Sequence, residues 1–383
     1  MQLDTVLMTP GPVQMSSDVL LAGAQPLKHH RTADFGPIYA ETVKLCKKFF
    51  GTNQELFLTT SSGTGAMETA IANFFNPGDK ILTVQTGVFG ERFTKIAQAY
   101  RLEPVVIACE DGKRVQLEQI KQAISENPDI KGITVTFNET STGIRNHIQE
   151  IGEFLKDKDV LFITDGVSGI GALPFKMDEW HVDVAVSASQ KGFLAPPGIG
   201  MIGVSQKAWK KAEQVECHSH YFDLKLYKQN FEKNVPANPW TPAITVLYSL
   251  LHALQKIDEM GIDNLHKHFN RLACGLREAL KALGIKIFTE PDATSDVLTV
   301  FHCPEGIKPS ELVALLRNDY GILIAAGQGK YADSLLRITT IGSIGERDLV
   351  ATIGLMEMIL AKKGIVKDIG TGITALLKYF MNN

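Results

Sequence analysis

Val184-Ala185-Val186-Ser187-Ala188-Ser189-Gln190-Lys191-Gly192-Phe193 is an apolar, alternating run that leads into two serines, a glutamine and a lysine, with Gly198 and Gly200 close behind. The first half reads as a buried strand and the second as the loop at its carboxyl end. Burying an ammonium is costly unless it is paired or neutralised, so Lys191 has two readings. Either it reaches solvent from the strand end, or it is desolvated for chemistry, because an amine with a lowered pKa is a nucleophile that forms Schiff bases with carbonyl groups.

The same arrangement recurs upstream. Residues 160–164 form an apolar strand that ends in Asp165-Gly166-Val167-Ser168-Gly169, and residues 133–137 form another that ends in Asn138-Glu139-Thr140-Ser141-Thr142-Gly143. Strand 80–84 is followed by Thr86-Gly87-Val88-Phe89-Gly90-Glu91-Arg92-Phe93, an aromatic between glycines that suits a core or a stacking platform. Strand 56–59 runs into Thr60-Ser61-Ser62-Gly63-Thr64-Gly65 and then an apolar helix. Such a junction leaves helix N–H groups free at the positive end of the dipole, which suits either simple capping or an anion. It is not a P-loop, because no Gly-Lys-Ser/Thr follows.

Strand and helix alternate across residues 55–205, which predicts an open α/β sheet, mostly parallel. Ligands bind beyond the carboxyl ends of strands in such sheets. Ser62, Phe89, Thr140, Asp165 and Lys191 all fall at those ends, so five loops are expected to converge on one place.

The flanks are read in the same way. Thr9-Pro10-Gly11-Pro12 is an extended N-terminal arm that can line a pocket with backbone. His29-His30-Arg31 precedes a helix starting near Pro37 and reads as a surface or interface turn. An apolar helix from about residue 243 to 260 stops at Gly261, and the expected division is an arm (1–14), a large domain (15–255) and a small α+β domain (256–383). Arg337 interrupts the apolar strand 335–340, as a structural ion pair or as a carboxylate clamp. An amphipathic tail (Ile373, Leu376, Leu377, Phe380) reads as a last helix.

Composition excludes several classes. The 383 residues carry a formal charge of -3, with 39 Lys+Arg against 42 Asp+Glu, which argues against a dedicated nucleic-acid binder. No apolar run reaches membrane-span length, and Met1-Gln2-Leu3-Asp4 lacks the basic start of a signal peptide. Cysteines 46, 109, 217, 274 and 303 have no CxxC spacing and read as reduced cytosolic thiols, with no metal site expected.

The ordered motifs, Thr-Pro-Gly-Pro at 9–12, Ser62-Gly63-Thr64, Gly87-Val88-Phe89-Gly90, Glu139-Thr140-Ser141-Thr142-Gly143, Asp165-Gly166-Val167-Ser168 and Ser189-Gln190-Lys191, resemble the class V aminotransferases over essentially the whole chain. These are fold-type I pyridoxal 5′-phosphate enzymes. The resembling branch is the serine–pyruvate, alanine–glyoxylate and serine–glyoxylate group, some members of which are labelled soluble hydrogenase small subunit.

The resemblance implies a role for each residue. Lys191 would hold the cofactor covalently and shuttle a proton, and Asp165 would pair with the pyridine nitrogen. Phe89 would stack on the ring, with Val167 on its other face and Thr140 near the ring hydroxyl. Ser62, Gly63, Thr64 and Gln190 would bind the phosphate, joined by Thr241 from a second subunit, so a homodimer is implied. Arg337 would clamp the substrate carboxylate, and Gly11 would line the pocket. Asn238 stands where some relatives have a tyrosine, which leaves one phosphate contact open.

The implied reaction moves an amino group from serine, alanine or aspartate to a 2-oxo acid such as glyoxylate or pyruvate in the cytoplasm. Two rival expectations stand beside it. One is a lyase or desulfurase of the same fold, for which Cys303 is the candidate thiol. The other is an accessory hydrogenase-type subunit without transaminase activity.

Overall fold

The computed structural model describes residues 5–383; the Met1–Asp4 start, on which the absence of a signal peptide was judged, lies outside the described residues. Seven strands build the main sheet: β1 (Glu55–Thr60), β2 (Lys80–Gln85), β3 (Glu103–Ala108), β4 (Ile130–Thr136), β5 (Leu161–Asp165), β6 (Val184–Ala188) and β7 (Ile199–Val204). Their order is β1-β7-β6-β5-β4-β2-β3. Every neighbouring pair is parallel except those of β7, which runs antiparallel to both β6 and β1. The exception has a local cause. A loop too short for a crossover helix joins β6 to β7, so the chain returns as a hairpin, and Lys191 sits in that return. β5 and β6 are buried along their whole length, as befits strands covered on both faces.

Four helices accompany this sheet. α1 (Gly36–Phe50) carries Pro37 in its first turn and packs against the long helix α4 (Ile244–Met260). α2 (Gly63–Phe74) and α3 (Val88–Ala99) leave β1 and β2 directly, so both start at the carboxyl edge of the sheet.

α4 passes unbroken through residue 255, and Gly261 (φ 85°) separates it from α5 (Ile262–Ala282). We propose Gly261 as the joint between the large and small domains. The latter part of the chain holds β8 (Leu298–His302), β9 (Ala325–Ala326) and β10 (Leu335–Thr339), in the order β8-β10-β9. α6 (Glu346–Lys362) and the tail helix α7 (Thr371–Asn382) pack there; Leu376 and Phe380 are buried, while Leu377 faces solvent.

The strand expected over 321–326 is two short pieces. Ile322–Leu323 pairs in parallel with Val6–Leu7 of the arm, and Ala325–Ala326 pairs with β10. The arm competes for the first piece because its extended, proline-rich chain supplies open backbone donors and acceptors. It then continues to Val13, whose N–H donates to the Gln190 carbonyl at 3.2 Å. The arm is thereby threaded between the small sheet and the Lys191 loop.

Candidate active site

Lys191 is held by its own hairpin. The Ser189 hydroxyl donates to the Pro196 carbonyl at 2.5 Å and accepts the Ile199 N–H at 3.3 Å. The Lys191 side chain is 9% exposed, and its Nζ donates to the Pro10 carbonyl at 2.7 Å. Burial lowers its pKa to about 8; the Arg337 charge pushes the same way and the Asp165 carboxylate opposes. At neutral pH a usable fraction of the amine is therefore unprotonated.

Asp165 ends β5 and is buried. Burial raises its pKa to about 7, against the pull of the Val167 N–H, which donates to Oδ1 at 2.9 Å. Such a carboxylate is half-starved of partners and ready for a cationic one. Beside it, the Ser168 hydroxyl donates to the Asn138 carbonyl at 2.8 Å, so Thr140 must donate to Ser168 at 2.9 Å. The remaining lone pairs of Thr140 are left as acceptors.

Phe89 lies in the first turn of α3, and its backbone is fixed from another loop. The fully buried Glu139 accepts the N–H groups of Phe89 at 3.0 Å and Gly90 at 3.1 Å through Oε2. Its Oε1 accepts the Ser141 N–H at 3.1 Å and hydroxyl at 2.6 Å, while Ser141 Oγ accepts the Val88 N–H at 3.0 Å. Burial pushes the Glu139 pKa up and these donors pull it back. All four contacts are donors, the pattern an ionised carboxylate satisfies, and the N-terminal end of a helix dipole favours that charge. The cap fits because residue 87 is glycine: a Cβ there would lie 2.6 Å from Glu139 Cγ.

At the head of α2 the first helical bond joins the Ala66 N–H to the Ser62 carbonyl at 3.2 Å, and the Ser62 side chain makes no capping bond. The N–H groups ahead of Ala66 are thus free of the helix. Gly63 packs on Val167, where a Cβ would come within 2.7 Å of Cγ2. Gln190 Oε1 is buried without a partner.

Arg337, buried in β10, donates Nε–H to the Ala326 carbonyl at 2.9 Å. Its Nη1 reaches the Thr140 carbonyl at 3.2 Å and Gln328 Oε1 at 3.3 Å. Among the described residues its Nη2 has no hydrogen-bond partner. Burial lowers its pKa to about 10, so it is charged at neutral pH. Arg337, Lys191, Phe89, Thr140 and Gly11 line one cavity of about 390 Å³, walled on its apolar side by Leu7, Leu323 and Ala325.

Thr241 is set apart. It is exposed, on a segment that docks where the Ala243 N–H meets Thr60 Oγ1 at 3.1 Å, and, like Ser62, Gly63, Thr64, Asp165, Val167 and Gln190, it is not among the residues lining the cavity. Arg31, beside His30, donates to the Pro239 carbonyl of that segment at 3.0 Å. Cys303 also stands outside the cavity; its Sγ donates to the Ile307 carbonyl, and burial pushes its pKa up to about 11.

Sequence reading missed Gln328 as a cavity residue and Glu139 as the cap of α3. Glu139 was visible only as a motif member, because its partners lie fifty residues away. It also missed Arg92, whose signal was its place one helical turn after Phe89.

Residues 20–339 match the family described as Aminotransferase class-V. An uncharacterized aminotransferase of Methanocaldococcus jannaschii is 40% identical over 375 residues, 97% of each chain. A serine–glyoxylate aminotransferase of Methylorubrum extorquens is 34% identical, covering 98% of this chain and 96% of its own. The crystal structure of ureidoglycine–glyoxylate aminotransferase from Bacillus subtilis superposes with a TM-score of 0.95 at 26% identity, over 100% of this chain and 99% of that one. With a lysine, an aspartate and an open helix start gathered at the carboxyl edge of a mostly parallel sheet, the chain belongs to the class V aminotransferases, pyridoxal 5′-phosphate-dependent transaminases of fold type I.

Proposed function

We propose that the cavity moves an amino group from a small amino acid, serine, alanine or aspartate, to a 2-oxo acid such as glyoxylate or pyruvate. One observation carries this reading: an amine with lowered pKa and a charged, incompletely used guanidinium face the same cavity of about 390 Å³. Guanidinium is suited to a carboxylate, and the apolar wall of Leu7, Leu323 and Ala325 leaves room for a small substrate side chain.

The residues fit the cofactor. The uncapped start of α2 with Ser62, Gly63 and Thr64 suits a phosphate, which Gln190 would meet through its amide N–H donors, since its oxygen only accepts. Phe89 and Val167 would pack against the ring, and Asp165 would hold a proton on its nitrogen. Bound there, pyridoxal phosphate supplies an electron sink that stabilises negative charge at the substrate Cα.

The protein's own groups do the rest. Arg337 would hold the carboxylate through Nη2 and so orient the Cα–H bond. Lys191, neutral for part of its time at neutral pH, would take the proton from the substrate Cα and deliver it to C4′ of the cofactor, and would move it the opposite way when the 2-oxo acid is the substrate. Thr140 would accept a hydrogen bond from the ring hydroxyl. Gly11 lets the arm's backbone approach Lys191.

We read the protein as a cytoplasmic homodimer. Among the described residues no helix is long and apolar enough to cross a membrane, and all five cysteines are free. Leu20, Leu21 and Leu27 expose 52%, 68% and 65% of their surface within one short stretch, and Thr241 would complete the phosphate site of a second copy. A desulfurase reading is not favoured, because Cys303 lies outside the cavity with a raised pKa.

The test is spectroscopic. The purified protein is expected to carry a visible band that bleaches with serine, alanine or aspartate and returns with glyoxylate or pyruvate. A protein that stays colourless with added cofactor, and that Lys191→Ala leaves unchanged, sinks the reading; colour with release of sulfide or ammonia moves it to the lyase.

A further inference from the structure

We propose that Arg92 is a positioning residue that turns the Thr64 hydroxyl into a dedicated phosphate donor while bracing the Phe89 ring. The inference rests on the proposed cofactor site. Arg92 Nη1 donates to Thr64 Oγ1 at 2.9 Å, and its Cζ lies 4.5 Å from the centroid of the Phe89 ring. One side chain therefore touches two walls of the site, the start of α2 and the start of α3.

A threonine hydroxyl can donate or accept, and a guanidinium only donates. Bonded to Arg92, Thr64 Oγ1 must accept, which leaves its single hydrogen for another acceptor. That hydrogen sits in the first turn of α2, where free backbone N–H groups and the helix dipole already favour an anion. Among the described residues Arg92 has no carboxylate partner, so its charge is not cancelled beside this anion site. The same charge favours the ionised form of Asp165 and the neutral form of Lys191.

The second contact comes from helix geometry. Phe89 and Arg92 are three residues apart on α3 and share a face, and a planar guanidinium stacks on an aromatic ring as an ammonium cannot. Glu139 fixes the backbone of Phe89; Arg92 fixes its ring.

The test is cofactor affinity, measured on full-length protein freed of cofactor and titrated with pyridoxal 5′-phosphate, with pyridoxal, and with inorganic phosphate as competitor. Arg92→Gln is expected to weaken pyridoxal phosphate binding about tenfold or more, the scale of one charge-assisted hydrogen bond. Pyridoxal, which lacks the phosphate, should weaken by only about two- to threefold, through Phe89 alone. In a Thr64→Val background the phosphate-specific loss from Arg92→Gln should shrink to the part the Arg92 charge supplies directly, and in a Thr64→Ser background it should persist in full. Arg92→Lys keeps the charge without the fork, controls for folding, and should fall between.

Equal losses for pyridoxal and pyridoxal phosphate overturn the Thr64 role, as do additive losses in the double variant. Unchanged binding in Arg92→Gln overturns the whole inference while leaving the cofactor reading intact. A wild-type protein that binds no pyridoxal phosphate defeats the cofactor reading itself.

Discussion

A Cβ placed on Gly11 would lie 2.5 Å from Lys191 Cε, so the arm approaches the reactive lysine as closely as backbone allows. Gly11 also has φ 141°, a conformation that L side chains rarely adopt. Gly11→Ala is expected to fold, because the crowded atoms end a flexible side chain, yet to displace the amine. Cofactor incorporation, read as visible absorbance per protomer, should fall roughly tenfold or more. Full incorporation in Gly11→Ala would show that Lys191 has room to spare.

Asp165 and Lys191 make a pH prediction for cofactor-free protein. The folded-state pKa of Asp165 is raised to about 7, so its contribution to stability is full below its unfolded value and is lost as pH rises through about 7. The folded-state pKa of Lys191 is lowered to about 8, so its contribution is present above its unfolded value and is lost as pH falls through about 8. Both costs stand together between about 7 and about 8. Asp165→Asn and Lys191→Met should each raise the Tm of the cofactor-free protein there, by roughly a few degrees. The Asp165→Asn gain should shrink toward acid pH and the Lys191→Met gain toward alkaline pH; scanning calorimetry across the range checks both signs.

Glu139→Gln keeps the volume and removes acceptors. Gln offers one oxygen, so its amide nitrogen must face either the Phe89 and Gly90 N–H pair or the Ser141 pair. A loss of roughly 2 to 4 kcal/mol is expected in chemical denaturation, together with a changed circular dichroism of bound cofactor as Phe89 loosens. Wild-type stability with wild-type spectra would remove Glu139 from the site's support.

Arg337→Lys tests the clamp. A lysine cannot keep the bonds to Ala326, Thr140 and Gln328 while offering a free donor. Half-reaction kinetics should show the constants for both amino acid and 2-oxo acid rising roughly 30- to 100-fold, with cofactor binding unchanged. An unchanged constant for either partner would assign its carboxylate elsewhere.

Thr241→Ala tests the shared site. Phosphate affinity should weaken several-fold, and Leu21→Glu, which charges an exposed leucine in the segment ahead of α1, should yield monomers with the same defect. Cofactor binding that ignores Thr241→Ala would place Thr241 outside the site, and dimers that persist in Leu21→Glu would place Leu21 outside the interface.

Periodicity along the chain was enough for the sheet and for the convergence of its loops. Strand, loop and helix alternate strongly from β1 to β7, and in a parallel sheet the loops after successive strands must gather at one edge. Lys191, Asp165, Thr140, Phe89 and Ser62 could therefore be named before any contact was seen. How those groups are tuned emerged only in the folded chain. The pKa values of Lys191 and Asp165 depend on burial and on charges that arrive from β10 and from the Glu139 loop. The cap on Phe89 comes from residue 139, the bond that orients Thr64 comes from residue 92, and the partner of Lys191 Nζ is Pro10, threaded in from the far end of the chain. Periodicity reports which face of an element is buried; it carries no information about which distant side chain will meet it there.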